Sequence, residues 1–202
     1  MFIIIQDLKH KNQRAWQRML SGRKLDILSP SPMDIEIEDI ALGLSRVSRW
    51  NGQTTGNHCY SVAQHSILVE KIFTLNNPKS LIKWRLAALL HDGPEYVIGD
   101  LITPFKYALN NSYRLVEKNL MQAINLRFGL PETLPKVIEF NIKKADKAAA
   151  WFEAIHIAGY KEKEALQILK KSNCKLNIKI KPLSPKRTKE DFLKRFNELV
   201  KK

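Results

Sequence analysis

The 202 residues include 44% hydrophobic side chains, enough for one sizeable core but not for two full domains, and carry a formal net charge of +14. No run reaches the roughly 18 apolar residues of a membrane span, the apolar run at residues 2–5 is too short for a signal-peptide core, and the distant Cys59 and Cys174 offer neither a disulfide framework nor a zinc ribbon, so a cytoplasmic protein with no membrane partner is expected. Residues 161–202 hold fourteen Lys or Arg against five Asp or Glu, so the basic character belongs mainly to that segment, either as a solvated lysine-rich surface or as an attraction for nucleic acid or another polyanion.

Gly and Pro divide the chain into helical lengths without an internal repeat, which predicts an all-α fold. Leu25 with Ile27 and Ile35 with Ile37 alternate around a Ser-Pro-Ser-Pro break, a pattern for a small N-terminal hairpin within residues 22–37. Ile40, Leu44 and Val47 then repeat at helical spacing. A helix over 60–73 puts Val62, Val69 and Ile72 on one face with His65. Residues 81–92 are apolar nearly all round, as in a central buried helix, and end in His91 and Asp92 before Gly93 and Pro94.

Residues 112–128 read as a helix with a Ser112 cap, an apolar face at Val116, Leu120, Ala123 and Ile124, and Gly129 as terminator. A long helix over 135–158 carries Asp146 and closes at Gly159. After a short helix at 161–171, Leu176, Ile178 and Ile180 alternate like an edge strand over 175–181. A helix from Thr188 with Phe192, Phe196 and Leu199 on one side completes the pattern.

The polar residues on these helices admit two readings each. His65 is either a hydrogen-bonded core histidine or a ligand, and Asp146, among Lys143, Lys144 and Lys147, is either a surface ion-pair partner or a ligand. His91 and Asp92 close a buried helix, where an unpaired imidazole and carboxylate are costly, so both need partners. One metal ion would satisfy all four residues. Two imidazoles and two carboxylates form a mixed nitrogen and oxygen shell suited to Mn, Co, Fe, Ni or Zn, with positions left for water and a phosphate oxygen in a six-coordinate ion.

The order His65, then His91 and Asp92, then Asp146 resembles the HD superfamily of metal-dependent phosphohydrolases, whose ligand pattern is H, HD, D along a helical bundle. The stretch HDGPEYVIGDLITPFKY from His91 to Tyr107 is similar to the HDxxE and GDxxTPxK of bacterial HD-type 5'-deoxynucleotidases, and Arg49 with Trp50 is similar to that group's substrate-binding Arg-Trp pair. The resemblance covers roughly residues 40–160. It implies that His65, His91, Asp92 and Asp146 hold one divalent metal ion, with Mn, Co, Fe, Ni, Zn or Mg all compatible. It also implies that Glu95 assists proton transfer, that Arg49 orients the phosphate and shares the catalytic work with Asp92, and that Trp50, Asp100, Thr103 and Lys106 bind substrate.

The residues themselves agree in part. Glu95 lies close enough past the His91-Asp92 doublet to reach a water at the metal, and Arg49 offers a planar fork for two phosphate oxygens. The plainer alternatives are a core aromatic at Trp50, a surface charge at Lys106 and a solvated helix residue at Glu95. Residues 93–145 contain no histidine, which argues for a mononuclear site; His10 and His156 stay outside the pattern, and His156 does not share a helix face with Asp146.

The expected architecture is therefore an all-α HD-domain helical bundle over residues 1–160, with a basic accessory segment over 161–202 packed on the same domain. The expected activity is metal-dependent hydrolysis of a (deoxy)nucleoside 5'-monophosphate. One alternative is a deoxynucleoside triphosphate triphosphohydrolase, told apart by its tripolyphosphate product. Another, in a different class, is a nucleic-acid-binding module with a vestigial HD site. A homodimer is the expected assembly.

Overall fold

A computed structural model describes residues 15–109, 111–169 and 179–201; His10, Cys174 and residues 175–178 of the expected edge strand lie outside them. The hairpin is present but shifted. β1 (Trp16–Arg18) pairs antiparallel with β2 (Lys24–Asp26), with Gln17 opposite Leu25, and Leu25 is fully buried. Ile35 and Ile37 do not supply the second strand. Ser31 caps a 3-10 turn at Pro32–Asp34, where Pro32 lacks the amide that a strand ladder needs, and Ile37 already opens a helix.

That helix, α1 (Ile37–Arg46), packs on α2 (Val62–Asn76), which in turn packs on α3 (Ile82–Leu89). The Ser61 hydroxyl accepts a hydrogen bond from the Gln64 amide and so starts α2, a cap that contributes about 1 kcal/mol. α3 stops at Leu89, short of the expected end, and His91 and Asp92 fall in the turn that follows. The reason is Gly93. A Cβ there would lie 2.9 Å from the Leu90 carbonyl oxygen and 3.0 Å from Ile124 Cδ1, so the chain can turn tightly against the neighbouring helix only with glycine at this position.

Two short helices follow that periodicity does not reveal, α4 (Glu95–Ile98) and α5 (Thr103–Ala108). α4 lies against α1 at Gly43, where a Cβ would come within 2.7 Å of Tyr96 Cβ. This close approach holds α4, and with it Glu95, against α1. Next come α6 (Asn111–Arg127), one residue longer at its start than expected, and α7 (Lys136–His156), which runs along α2. Left-handed Gly129 and Gly159 follow them, as their sequence positions predict. α8 (Glu162–Ile168) is short, and residues 179–181 form no strand.

α9 (Pro185–Val200) starts ahead of Thr188, with Ser184 as its cap, and packs on α1, α2 and α3. Phe192, Phe196 and Leu199 belong to the same core as Ile40, Leu44 and Phe73. The Arg195 guanidinium forks onto the buried Glu70 carboxylate of α2 at 2.6 and 2.7 Å. The Gln64 side chain donates to the Lys181 carbonyl and accepts from the Leu183 amide, which ties the approach to α9 onto α2 beside His65. Among the described residues, no helix is long and apolar enough to cross a membrane.

Candidate active site

The segment between α1 and α2 is held at both ends by backbone hydrogen bonds, Val62 amide to Val47 carbonyl and Arg49 amide to Tyr60 carbonyl. Within it Trp50 (φ 55°) and Asn51 (φ 49°) adopt the left-handed region, which costs a non-glycine residue about 1–3 kcal/mol and persists only where the surroundings enforce it. The enforcing contacts are visible. Trp50 Nε1 donates to Glu153 Oε2 at 3.0 Å, and its ring packs on Tyr160 with centroids 5.8 Å apart.

His65 from α2, His91 and Asp92 from the turn after α3, and Asp146 from α7 meet at one point. His65 Nε2 lies 3.2 Å from Asp146 Oδ1 and 3.4 Å from Asp92 Oδ2, and His91 Nε2 lies 3.1 Å from Asp92 Oδ2. One donor atom each from His65, His91 and Asp146 falls within 4.8 Å of the other two, a group that can hold a metal ion. Both imidazoles are committed through their other nitrogen, His65 Nδ1 to Glu153 Oε1 at 2.6 Å and His91 Nδ1 to the Ala88 carbonyl at 3.0 Å. Among the described residues each Nε2 is buried and meets only the Asp92 and Asp146 carboxylates, without the alignment of a hydrogen bond. Fixing Nδ1 in this way is how a protein presents Nε2 to a metal.

The electrostatics point the same way. Burial and nearby Arg49 both oppose a charged His65, yet Glu153, Asp146 and Asp92 hold its proton affinity well above the ordinary imidazole value. Burial likewise opposes ionisation of Asp92 and Asp146, but the histidines keep Asp92 well below, and Asp146 below, the usual carboxylate range. Asp92, Asp146 and Glu153 thus draw positive charge to His65, as they would draw a cation. A nitrogen and oxygen donor set of this make-up fits one divalent metal.

Arg49 and Glu95 flank the ligands. The Arg49 guanidinium is 3.1 Å from Asp100 and 3.5 Å from Glu153; burial alone would weaken its hold on the proton, but these carboxylates raise it further. Glu95 is buried, and its carboxyl is pushed up to about 9, first by burial and then by Asp92 and Asp100. Lys106, expected at the substrate, lies 3.7 Å from Glu95 and 3.2 Å from Glu117. Thr103 begins α5, and its side chain lies outside the described residues. His156 is exposed on α7 and stacks on Phe152, away from the ligands.

Sequence reasoning passed over Glu153, which holds three residues of this site together. It is fully buried and joins His65, Trp50 and Arg49 through its two oxygens. The available signal was its position seven residues, or two helical turns, past Asp146 on α7, which puts both carboxylates on one face.

Residues 41–196 match the family of YfbR-like 5'-deoxynucleotidases, so the match runs beyond residue 160 and into α9. The chain is 59% identical over 159 residues to an uncharacterized protein of Rhodobacter capsulatus, covering 79% of this chain and 81% of that one. It is 30% identical over 166 residues to the uncharacterized protein YfdR of Escherichia coli, covering 82% of this chain and 85% of that one. With the family matched over most of its length and the H, HD, D residues converging in space, this chain belongs to the YfbR-like 5'-deoxynucleotidase family of HD-type, metal-dependent nucleotide phosphohydrolases.

Proposed function

We propose that this protein hydrolyses nucleoside 5'-monophosphates, deoxynucleotides foremost, to a nucleoside and orthophosphate. One observation carries the reading. Arg49 Nε, His65 Nε2, His91 Nε2 and Glu95 Oε2, all in this cluster, are buried without a hydrogen-bond partner. Native proteins seldom leave such groups unpaired, and a fixed cation, two imidazole nitrogens that face the Asp92 and Asp146 carboxylates, and an acid complement a metal with a phosphate on it. A divalent ion would be held by His65, His91, Asp92 and Asp146, and would supply Lewis-acid polarisation of the phosphate and a lowered pKa for water.

The chain's own residues do the rest. Arg49, held by Asp100 and Glu153, presents its fork to the phosphate oxygens and balances the charge that builds on them. The Trp50 turn, Asp100 and the start of α5 at Thr103 wall the sugar side. Glu95, raised to about 9, carries a proton at neutral pH and sits where it can pass it to the departing 5' oxygen. A water oxygen bonds to phosphorus, the bond from phosphorus to the 5' oxygen breaks, and one proton of that water replaces the one Glu95 gives up. Lys106 orients Glu95 from its bridge between Glu95 and Glu117, a positioning role in place of direct substrate contact.

The reading carries a cytoplasmic location, where free nucleotides are found, and a homodimer, the commonest closed assembly. The complete ligand set disfavours a vestigial site on a nucleic-acid-binding module. The test is a hydrolysis panel of ribo- and deoxynucleoside monophosphates with Mn, Co, Mg and Zn. The expected result is orthophosphate release that is faster from deoxynucleotides and abolished by a chelator. No release with any of these metals would overturn the reading.

A further inference from the structure

The histidine and aspartate cluster is walled differently on its two sides. Arg49, Trp50 and Asp100 gather around Glu153, two turns of α7 on the C-terminal side of Asp146. On the N-terminal side a cavity of about 480 Å³ lies between α6 and α7, and both His91 and Asp146 form part of its wall. It reaches from Asp146 to Glu139, two turns or about 10 Å along α7. A water molecule takes about 30 Å³, whereas small-molecule sites span roughly 300–1,000 Å³, so this space suits an organic molecule.

The walls have the chemistry of a nucleobase site. Met121, Leu134 and Ile142 are apolar, and Gln122 and Asn125 bring two side-chain amides from α6. Asn125 is only 2% exposed. Its Nδ2 donates to the Glu132 carbonyl at 3.2 Å, and its Oδ1 is buried with no hydrogen-bond partner among the described residues. Native proteins seldom leave a buried amide oxygen unpaired, and an N–H or O–H of a bound molecule would satisfy it. Asn and Gln amides read the edge of a base through an acceptor and a donor side by side, while apolar side chains take its faces.

We propose that this cavity holds a nucleoside as phosphoryl acceptor, so that the protein transfers the phosphate of a nucleoside 5'-monophosphate to a second nucleoside's 5'-hydroxyl as well as to water. The proposal rests on the monophosphatase reading above and extends it. In phosphoryl transfer the attacking and leaving oxygens stand roughly in line across phosphorus. With the donor's sugar at Trp50 and Asp100, its 5' oxygen departs on the Arg49 side, and the attacking oxygen enters from the side of His91 and Asp146, where the cavity lies. The acceptor's hydroxyl oxygen bonds to phosphorus and the bond from phosphorus to the donor's 5' oxygen breaks. Glu95 gives that departing oxygen a proton, and the acceptor's hydroxyl proton replaces it. One phosphate monoester is exchanged for another, so the step needs only the nucleotide and the acceptor. An acceptor held beside the phosphate competes with water through its high effective concentration there.

The test uses the full chain with Mn, dAMP as donor and thymidine as acceptor, and chromatography of the initial products. Thymidine 5'-monophosphate should appear beside orthophosphate, and its share should level off below about 1 mM thymidine, as a bound acceptor requires. Leu134→Trp fills the cavity from the loop before α7, and Gln122→Ala removes an amide from its wall at a half-buried position. Each should lower the ratio of thymidine monophosphate to orthophosphate about tenfold, the effect of losing one good contact with the acceptor. Lys144→Ala, exposed on α7 outside the cavity, should leave the ratio as it is. Orthophosphate as the sole product at every thymidine concentration, a thymidylate share that rises linearly without levelling off, or an unchanged ratio in whichever cavity variants fold would overturn the proposal and leave the monophosphatase standing. No turnover of dAMP by the metal-loaded wild type would remove both readings together.

Discussion

Glu153 accepts a hydrogen bond from His65 Nδ1 at 2.6 Å while its other oxygen takes the Trp50 indole, so one buried carboxylate sets both the orientation of the His65 ring and the turn that presents Arg49. Glu153→Gln keeps the shape and the acceptor oxygen but removes the charge. Metal affinity should fall about 10- to 100-fold, the usual cost of losing a carboxylate behind a ligating histidine. Titration calorimetry with Mn checks it, and wild-type affinity in the variant would reduce Glu153 to a packing role.

Asp146→Asn should abolish turnover and strip most of the metal, since a neutral amide is a much weaker ligand than a carboxylate. The side chain is partly exposed, so the fold should survive; circular dichroism and metal analysis on the same sample decide it. Stoichiometric metal in the variant would mean that Asp146 only pairs with His65.

Glu95→Gln should lower kcat by about 10² to 10⁴ with metal content and KM little changed. The pH profile adds a sign. A proton donor works only below its pKa, so activity should be lost as pH rises toward the value of about 9 that burial gives Glu95. A cation on the neighbouring ligands draws that value down, which puts the alkaline limb below 9. This limb should be missing from the Gln variant; if it persists, another group supplies the proton.

Arg195→Ala leaves the Glu70 carboxylate buried against α2 with Thr74, among the described residues, as its remaining side-chain partner. Breaking a buried pair from one side costs about 3 kcal/mol or more, and that should lower Tm by about 6–12 °C. Activity per folded molecule at low temperature should hold, because neither residue touches the ligands. A melting curve unchanged from wild type would show that solvent reaches Glu70 and replaces the arginine.

The convergence of His65, His91, Asp92 and Asp146 was legible because a metal site demands particular residue types, and helical spacing placed His65 and Asp146 on inward faces. α2, α6 and α7 were legible for the same reason, each being long enough for its apolar stripe to repeat. α4 and α5 span four and six residues, under two turns, and periodicity has nothing to act on over that length. Glu153 and the left-handed Trp50 escaped notice together, because each is explained by the other across 103 residues of sequence. The hairpin register was misread because the proline at residue 32 acts on the backbone, and a hydrophobic pattern does not record that.

The placement of α9 has a consequence for how the protein comes into being. Residues 185–200 fill the space between α1, α2 and α3, and Arg195 meets Glu70 across 125 residues. A nascent chain that has already released His65, His91, Asp92 and Asp146 from the ribosome still lacks one wall of its core. Contacts this remote in sequence close slowly, and the apolar faces of α1 to α3 stay open to aggregation until they do. Catalytic competence therefore arrives late in synthesis, when every ligand has long been in place.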